Sequence, residues 1–274
     1  MTETAATAAG TAYRISGDGP PLVMVHGLGL NHAMWQWQRA ALAAHFTVVE
    51  YDLLGHGNSP KPIGEYPMQV MLDQLIELMD SLDIDAAGLV GFSLGGLIVQ
   101  AFTVAYPARV KALAILNAAH GRSDEERASL MTRVQQVREH GPSSTVDAAL
   151  ERWFNAGFAD SSPEVLAQVR TWVIANDPRV YPELYRLLAH ADIGLEESIR
   201  SINSPTIVIT AEHDYGNSPE MSQRIASRIS GSRLEILPGL RHMALAEDPC
   251  QLNALLVSFF SSALLPEQAE EAAL

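Results

Sequence analysis

Short, largely apolar runs alternate with longer amphipathic stretches along most of the chain. Such runs are typical of parallel strands that are covered on both faces, because these strands have no side that faces solvent. They lie at residues 22–25, 46–51, 87–90, 110–116, 206–209 and 234–237. Stretches with apolar residues at helical spacing lie at residues 33–44, 68–82, 97–102 and 249–262. The alternation predicts an α/β fold with a mainly parallel sheet and helices on both faces.

The alternation stops between about residue 121 and residue 200. This part of the chain has no convincing strand, and its amphipathic stretches are separated by turn formers, namely Gly141-Pro142, Ser161-Ser162-Pro163 and Asp177-Pro178. We therefore predict an inserted helical cap over residues 121–200, called the cap segment below. The core of the protein is then made of residues 1–120 and 201–274.

The sequence Gly91-Phe92-Ser93-Leu94-Gly95 lies where an apolar run gives way to a helical one. Gly-x-Ser-x-Gly is the pattern of a nucleophile elbow, a tight strand-to-helix turn that holds its serine in a strained backbone conformation. Glycine is needed on either side, because a Cβ atom there would collide with the neighbouring strand or helix. By chance the pattern would occur in roughly one chain in ten of this length. The flanking strand and helix therefore support the prediction that Ser93 is a nucleophile.

Composition limits the partners that the protein can have. The chain has 274 residues, of which 47% are hydrophobic, and a formal net charge of −14. That charge argues against nucleic acid and anionic membranes as partners. No apolar stretch is long enough to span a membrane. The N-terminal segment, rich in Thr and Ala, lacks a basic start and a continuous apolar block, so it does not read as a secretion signal.

Cys250 is the only cysteine in the sequence. An internal disulfide is therefore excluded, and a cytoplasmic location is the default expectation. We expect Cys250 to be a buried packing residue at the start of the last helix. Residues 1 to about 10 are expected to be disordered, and the acidic, Ala-rich C-terminal tail is expected to fray. The sequence is compatible with a monomer or a homodimer.

Several further motifs lie along the chain. In the predicted core they are His26-Gly27-Leu28-Gly29, Met34-Trp35, Tyr51-Asp52-Leu53, Gly55-His56-Gly57-Asn58-Ser59, residues 91–96, Glu212-His213-Asp214, and His242 with Glu247-Asp248-Pro249. In the cap segment they are Arg152-Trp153-Phe154 and Asn176-Asp177-Pro178 with Tyr181. This set resembles the α/β-hydrolases over nearly the whole chain. Within them it is most similar to the 3-oxoadipate enol-lactonases and related small carboxylesterases. The resemblance implies an α/β-hydrolase fold, a small-molecule substrate and no cofactor.

The resemblance also implies a catalytic triad in the order Ser, acid, His, which here is Ser93, Asp214 and His242. A serine hydroxyl needs a neighbouring base, and that base needs a carboxylate to fix its tautomer. Asp214 and His242 each follow a predicted strand, so both should project from the same sheet edge as Ser93. Glu212 is the rival acid, and helix capping is the alternative role for Asp214. Asn117, after an earlier strand, occupies a position where some hydrolases carry their acid.

An oxyanion hole made of the backbone N–H groups of Leu28 and Leu94 is implied by the same resemblance. His26 is expected to order the loop that carries Leu28, and it is also a candidate for contact with substrate. His56 resembles a structural turn residue. His120, at the start of the cap segment, either lines the pocket or is a solvated loop residue.

Trp153 and Phe154 are candidates for the apolar wall of the substrate pocket, with core packing inside the cap segment as the alternative. No pair of His or Cys residues has ligand spacing on one helix face, so no metal site is predicted. Leu54 stands where the lactonases usually carry an arginine. A substrate with a carboxylate would need another cation, and the candidates in the cap segment are Arg122, Arg133, Arg138, Arg152 and Arg179.

The resulting hypothesis is a serine hydrolase that cleaves a small carboxylic ester or lactone through an acyl-enzyme, as in aromatic catabolism. One alternative is a carbon–carbon bond hydrolase of a ring-cleavage product, which uses the same triad but usually has a more polar oxyanion loop than Leu28-Gly29-Leu30. Another is a small-molecule receptor with a hydrolase fold and negligible turnover. A serine nucleophile argues against haloalkane dehalogenase and epoxide hydrolase chemistry, which require a carboxylate.

Overall fold

The structure, a computed structural model, describes residues 4–265. Its strands within that range are β1 (Ala5–Ala6), β2 (Ala12–Ser16), β3 (Pro21–Val25), β4 (Thr47–Tyr51), β5 (Ala87–Phe92), β6 (Val110–Leu116), β7 (Thr206–Ala211) and β8 (Arg233–Leu237). They form one sheet in the order β1-β2-β4-β3-β5-β6-β7-β8. Strands β1 and β2 pair antiparallel with each other, and β2 pairs antiparallel with β4. The remaining pairs are parallel, so the predicted mainly parallel sheet is confirmed.

The prediction that residues 1 to about 10 are disordered was wrong for those of them that the structure describes. Ala5 and Ala6 pair with Tyr13 and Ala12 as an edge strand. The turn between these strands is closed by hydrogen bonds from the Gly10 N–H to the Thr7 carbonyl (2.9 Å) and from the Thr7 N–H to the Thr11 carbonyl (3.0 Å). Backbone hydrogen bonds order this segment. Because both residues of β1 are exposed, the pattern of hydrophobic residues does not predict this strand. The expected fraying of the C-terminal tail concerns residues 266–274, which lie outside the described residues.

The described residues also form twelve α-helices. In the core they are α1 (Gln36–Ala43), α2 (Met68–Ser81), α3 (Leu94–Ala105), α10 (Pro219–Arg228), α11 (Ala244–Glu247) and α12 (Pro249–Leu264). In the cap segment they are α4 (Asp124–His140), α5 (Ser143–Trp153), α6 (Ala156–Ser161), α7 (Pro163–Ile174), α8 (Tyr181–His190) and α9 (Leu195–Ser198). Three short 3₁₀ helices span His32–Trp35, Pro107–Arg109 and Ile199–Ser201. No helix within residues 4–265 is long and apolar enough to cross a membrane.

Helices cover both faces of the sheet, as can be seen at the central strand β5. All six residues of β5 are buried. A Cβ atom at Gly88 would meet the side chains of Phe260 and Leu264, which belong to α12. A Cβ atom at Gly91 would instead meet Val99, which belongs to α3. Because residues three apart on a strand point to opposite faces, α12 and α3 lie on opposite sides of β5.

The cap segment is helical throughout its structured parts and contains no strand, and all of it is described. Helix α4 begins with a capping box in which Ser123 and Glu126 bond to each other's backbone N–H groups (3.2 and 2.7 Å). It ends at Gly141, whose φ of 75° lies in the left-handed region that glycine favours. Local signals for helix starts and stops therefore account for the first helix of the segment.

Asp192 joins the two ends of the cap segment. Its carboxylate is fully buried and accepts hydrogen bonds from the backbone and the guanidinium group of Arg122 (2.9 and 3.2 Å). It also accepts a hydrogen bond from the guanidinium group of Arg127 (3.0 Å). A buried charge requires such partners, since a lone carboxylate in the interior would be strongly destabilising. The chain that leaves β6 is thus fixed to the chain that returns to β7.

Cys250 is exposed, contrary to expectation. Helix α12 buries Leu252, Leu256 and Phe260 on one side. Cys250 precedes Leu252 by two residues, and a helix turns by about 200° over that interval. The side chain therefore faces away from the core.

Candidate active site

Ser93 occupies the tight turn between β5 and α3. Its φ of 54° and ψ of −112° lie outside the regions that residues with side chains normally adopt. A Cβ atom at Gly91 would overlap the carbonyl oxygen of Gly95, and one at Gly95 would overlap the carbonyl oxygen of Val25. The strand, turn and helix predicted around Ser93 are all present. This close approach of β3, β5 and α3 explains why both flanking positions are glycine.

Asp214 and His242 follow β7 and β8, and the structure brings them into contact. The Nδ1 atom of His242 lies 2.6 Å from Oδ2 of Asp214, and both side chains are buried. The other carboxylate oxygen accepts hydrogen bonds from the N–H groups of Gly216 (3.2 Å) and Asn217 (3.1 Å). Because the carboxylate engages Nδ1, Nε2 is the ring nitrogen that remains for proton transfer. Glu212, the rival acid, is exposed and accepts a hydrogen bond from the Gly239 N–H (2.8 Å).

The loop after β3, which carries Leu28, is held by two buried histidines. His26 donates from Nδ1 to the Gly27 carbonyl (2.8 Å) and accepts the Leu53 N–H at Nε2 (2.9 Å). His56 accepts the Gly29 N–H at Nε2 (3.1 Å). A ring nitrogen that accepts an N–H carries no proton, so both imidazoles must be neutral. Burial is the main cause that lowers the pKa of His26 to about 4 and that of His56 to about 3.

A cavity of about 420 Å³ lies between the sheet edge and the cap segment. Its floor includes Leu28, Ser93 and His242, and its other wall includes Trp153. The ring of Trp153 lies 5.8 Å from the ring of His242, and the Trp153 carbonyl accepts a hydrogen bond from the Met243 N–H (2.9 Å). Helix α5 of the cap segment is thereby attached to the loop that carries His242.

These features belong to a known architecture. Comparison with protein families matches residues 20–249 to the family described as the alpha/beta hydrolase fold. The chain belongs to the α/β-hydrolase family. The expected resemblance and fold class are confirmed by this match and by the relatives that follow.

This α/β-hydrolase is similar to several known proteins over most of its length. It is 31% identical over 236 residues to 3-oxoadipate enol-lactonase 2 of Acinetobacter baylyi, a match that covers 86% of each chain. It is 26% identical to the (E)-2-((N-methylformamido)methylene)succinate hydrolase of the same organism, with 91% of this chain and 94% of the relative covered. The crystal structure of an enol-lactonase from Burkholderia xenovorans superposes with a TM-score of 0.86 at 30% identity, covering 94% of this chain and all of the other.

Asn117 is a site residue whose contact the sequence did not reveal. It follows β6 with a φ of 48°, and its backbone N–H donates to the Ile209 carbonyl on β7 (2.8 Å). Its side-chain amide donates to Oδ2 of Asp214 (2.9 Å), the same oxygen that contacts His242. The feature of the sequence that could have predicted this contact is the position of Asn117 directly after β6, at the sheet edge where the site lies. The α/β-hydrolase thus has an amide at the position where some hydrolases carry their acid, and this amide holds the carboxylate of Asp214, which follows the next strand of the sheet.

The two residues expected to supply the oxyanion hole, Leu28 and Leu94, both have a backbone N–H group without a hydrogen-bond partner among the described residues. Leu28 lines the cavity, whereas Leu94 is buried at the start of α3 directly after Ser93. No hydrogen bond within residues 4–265 uses the backbone N–H of Leu28 or of Leu94. Both groups are therefore available to an oxygen atom in the cavity.

Three of the residues expected to contact substrate do not line the cavity. His26 lies behind the loop that carries Leu28, where it bonds to backbone groups. Phe154 is buried and stacks on Phe158 with ring centroids 5.5 Å apart, which agrees with the core-packing alternative. His120 is neither in the pocket nor solvated: it is buried, and neither ring nitrogen has a partner among the described residues. Burial lowers the pKa of His120 to about 4. Only Trp153 of the candidates borders the cavity.

Within residues 4–265 no group of three or more His, Cys, Asp or Glu side chains could hold a metal ion.

Proposed function

We propose that this α/β-hydrolase cleaves a small carboxylic ester or lactone through Ser93, His242 and Asp214, with an acyl-enzyme intermediate. The observation that carries the proposal is the 2.6 Å contact between Asp214 and His242 beside a cavity that Ser93 also lines. The named activities of the enol-lactonase relatives support it.

In this mechanism the Nε2 atom of His242 takes the proton of the Ser93 hydroxyl as its oxygen attacks the carbonyl carbon. The backbone N–H groups of Leu28 and Leu94 stabilise the negative oxygen of the tetrahedral intermediate, which is the role of an oxyanion hole. The leaving alkoxide takes the proton from His242 when the intermediate collapses. Asp214 fixes the tautomer of the imidazole and stabilises its charged form.

Water completes the reaction. His242 removes a proton from a water molecule that attacks the acyl-enzyme, and a second collapse returns the proton to Ser93 and releases the acid. In a lactone the leaving oxygen stays within the same molecule, so the product is a single hydroxy or keto acid. A cavity of about 420 Å³ favours such compact substrates over long acyl chains.

The first test replaces Ser93 and His242 individually by Ala and measures kcat/KM with 4-nitrophenyl acetate. Each variant should lose about 10⁴-fold or more, because the triad acts as a unit. The midpoint of thermal unfolding should show whether each variant remains folded. Turnover by Ser93→Ala close to that of the wild type would disprove the proposal.

A second measurement separates the alternatives. Multiple rapid turnovers of the wild type on small esters and lactones support hydrolysis. A single slow turnover with a large ligand-dependent rise in melting temperature would instead favour a receptor. A preference for vinylogous diketones over esters and lactones would favour carbon–carbon bond hydrolysis.

A further inference from the structure

Two arginines of the cap segment face the cavity without a carboxylate partner. Arg133 on α4 and Arg152 on α5 are both half-buried and both line the cavity. Among the described residues neither makes an ion pair or a side-chain hydrogen bond. The other arginines of the cap segment are all ion-paired: Arg122 and Arg127 with Asp192, Arg138 and Arg186 with Glu183, Arg170 with Asp147, Arg179 with Asp177, and Arg200 with Glu197.

The two unpaired guanidinium groups are close enough to affect each other. Burial is the main cause that lowers the pKa of Arg152, and the positive charge of Arg133 lowers it further, whereas Tyr185 and Glu151 oppose this shift without neutralising it. Glu125 and Glu126 also line the cavity, but both are exposed at the start of α4, and neither forms an ion pair with Arg133 or Arg152. Partial burial of two like charges is unfavourable, and an anion bound between them would compensate for it.

The net negative charge of the protein bears on how an anionic ligand could bind to this arginine pair. With a formal net charge of −14, the long-range field repels anions, so an anionic ligand needs cations at the site itself. Arg122 cannot serve, although it lines the cavity, because Asp192 already neutralises it. Arginine presents a planar fork of N–H donors that matches a carboxylate.

We propose that Arg133 and Arg152 form a carboxylate-binding subsite, so that the substrate is an ester or lactone that also carries a free carboxylate. This inference rests on the proposed function. One end of the substrate is anchored on the cap segment while the reacting carbonyl lies at Ser93 on the floor of the cavity. The anchor decides which carbonyl group reaches the nucleophile, which is a contribution of positioning.

The test uses two esters that differ in charge. One is the 4-nitrophenyl monoester of glutaric acid, which has a free carboxylate, and the other is 4-nitrophenyl valerate, which has the same acyl length and none. The quantity measured is the ratio of kcat/KM for the charged ester to that for the neutral ester. We expect Arg152→Met and Arg133→Met each to lower this ratio by about 10- to 100-fold, the usual effect of losing a charge-assisted hydrogen bond.

Arg138→Met is the matched control, because it removes the same charge from α4 at a residue that is paired with Glu183 and does not line the cavity. It should leave the ratio within about two-fold of the wild type, since screened surface charges have small effects. Arg152→Lys should retain part of the ratio by keeping the charge. The dissociation constant of glutarate, measured by calorimetry on Ser93→Ala, should rise in the two Met variants as well.

The outcomes separate this inference from the proposed function. An unchanged ratio in both Arg152→Met and Arg133→Met would overturn the subsite while leaving ester hydrolysis intact. Absence of wild-type turnover on either ester, together with glutarate binding that depends on Arg152, would overturn the proposed function and retain the subsite. Tighter binding of inorganic phosphate than of glutarate would show that the ligand is a phosphate and would refute the carboxylate assignment.

Discussion

His26 and His56, which lie behind the loop that carries Leu28, should make the stability of the protein depend on pH. Protonation of His56 at Nε2 would remove the acceptor of the Gly29 N–H and place two donors against each other. His26 faces the same conflict with the Leu53 N–H. The folded state therefore excludes a proton that the unfolded chain binds freely.

The size of the effect follows from the pKa difference. Unfolded histidine gains its proton as the pH falls through about 6.5, whereas folded His26 and His56 remain neutral down to about 4 and about 3. In this window the unfolded state binds more protons, so the free energy of unfolding falls as the pH falls. At about pH 5, some 1.5 units below the unfolded value, each histidine lowers it by about 2 kcal/mol. This figure holds for any folded pKa well below 5.

The assay is urea unfolding at a series of pH values from about 7.5 to about 5. His56→Gln keeps a hydrogen-bond acceptor but has no ionisable group, so its free energy of unfolding should fall by about 2 kcal/mol less than that of the wild type over this range. Relief of negative-charge repulsion acts on both proteins alike and cancels in the difference. His45→Gln, at an exposed histidine, should behave as the wild type does.

Parallel pH dependence of the wild type and His56→Gln would refute this reasoning. It would mean that His56 takes up its proton equally in the folded and unfolded states. A pH dependence that also disappeared in His45→Gln would assign the effect to exposed histidines instead.

Two further predictions use matched pairs of residues. Gly95→Ala should lower the melting temperature sharply or prevent folding, because its Cβ atom would overlap a carbonyl oxygen of β3. Gly157→Ala, at a position on α6 with open space around it, should be neutral or stabilise the protein by up to about 1 kcal/mol. Equal melting temperatures of the two variants would contradict this prediction. Phe154→Ala should lower the free energy of unfolding by about 3–5 kcal/mol, or the melting temperature by roughly 10 °C, because Phe154 is buried. Trp153→Ala should mainly reduce kcat/KM, because Trp153 lines the cavity. A loss of stability without a loss of kcat/KM in Trp153→Ala would exclude Trp153 from the pocket.

Features that depend on chain order and local pattern were predictable from the sequence. The strand-to-helix turn at Ser93 was predictable because such a tight turn leaves no room for a Cβ atom on either side, and the glycines that satisfy this requirement lie next to the serine in the sequence. Asp214 and His242 could be placed because each follows an apolar strand, and the ends of parallel strands meet at one sheet edge. The prediction that Cys250 is buried was wrong, although the helical spacing of Leu252, Leu256 and Phe260 already places Cys250 on the outer side of α12.

Contacts between distant segments could not be read in this way. The sequence shows Asn117 only as an amide at a position where some hydrolases carry an acid, because its bond to Asp214 joins residues 97 positions apart. His120 is buried where Arg224, from α10, donates to its carbonyl oxygen (2.8 Å), a contact that joins residues 104 positions apart. Whether an arginine of the cap segment is ion-paired likewise depends on which carboxylates the packed helices bring near it. The spacing of residues along the sequence does not predict those contacts.

The closure of the cap segment by Arg122 and Asp192 has a consequence for how such a protein can change over time. Leu113 on β6 pairs with Thr206 on β7, so the sheet continues across the excursion as though only a short connection were present. Long insertions add little entropic cost when their ends already meet, because loop-closure entropy grows slowly with length. The helices that form one wall of the cavity can therefore diversify toward new substrates while the strand ends that hold Ser93, Asp214 and His242 stay as they are.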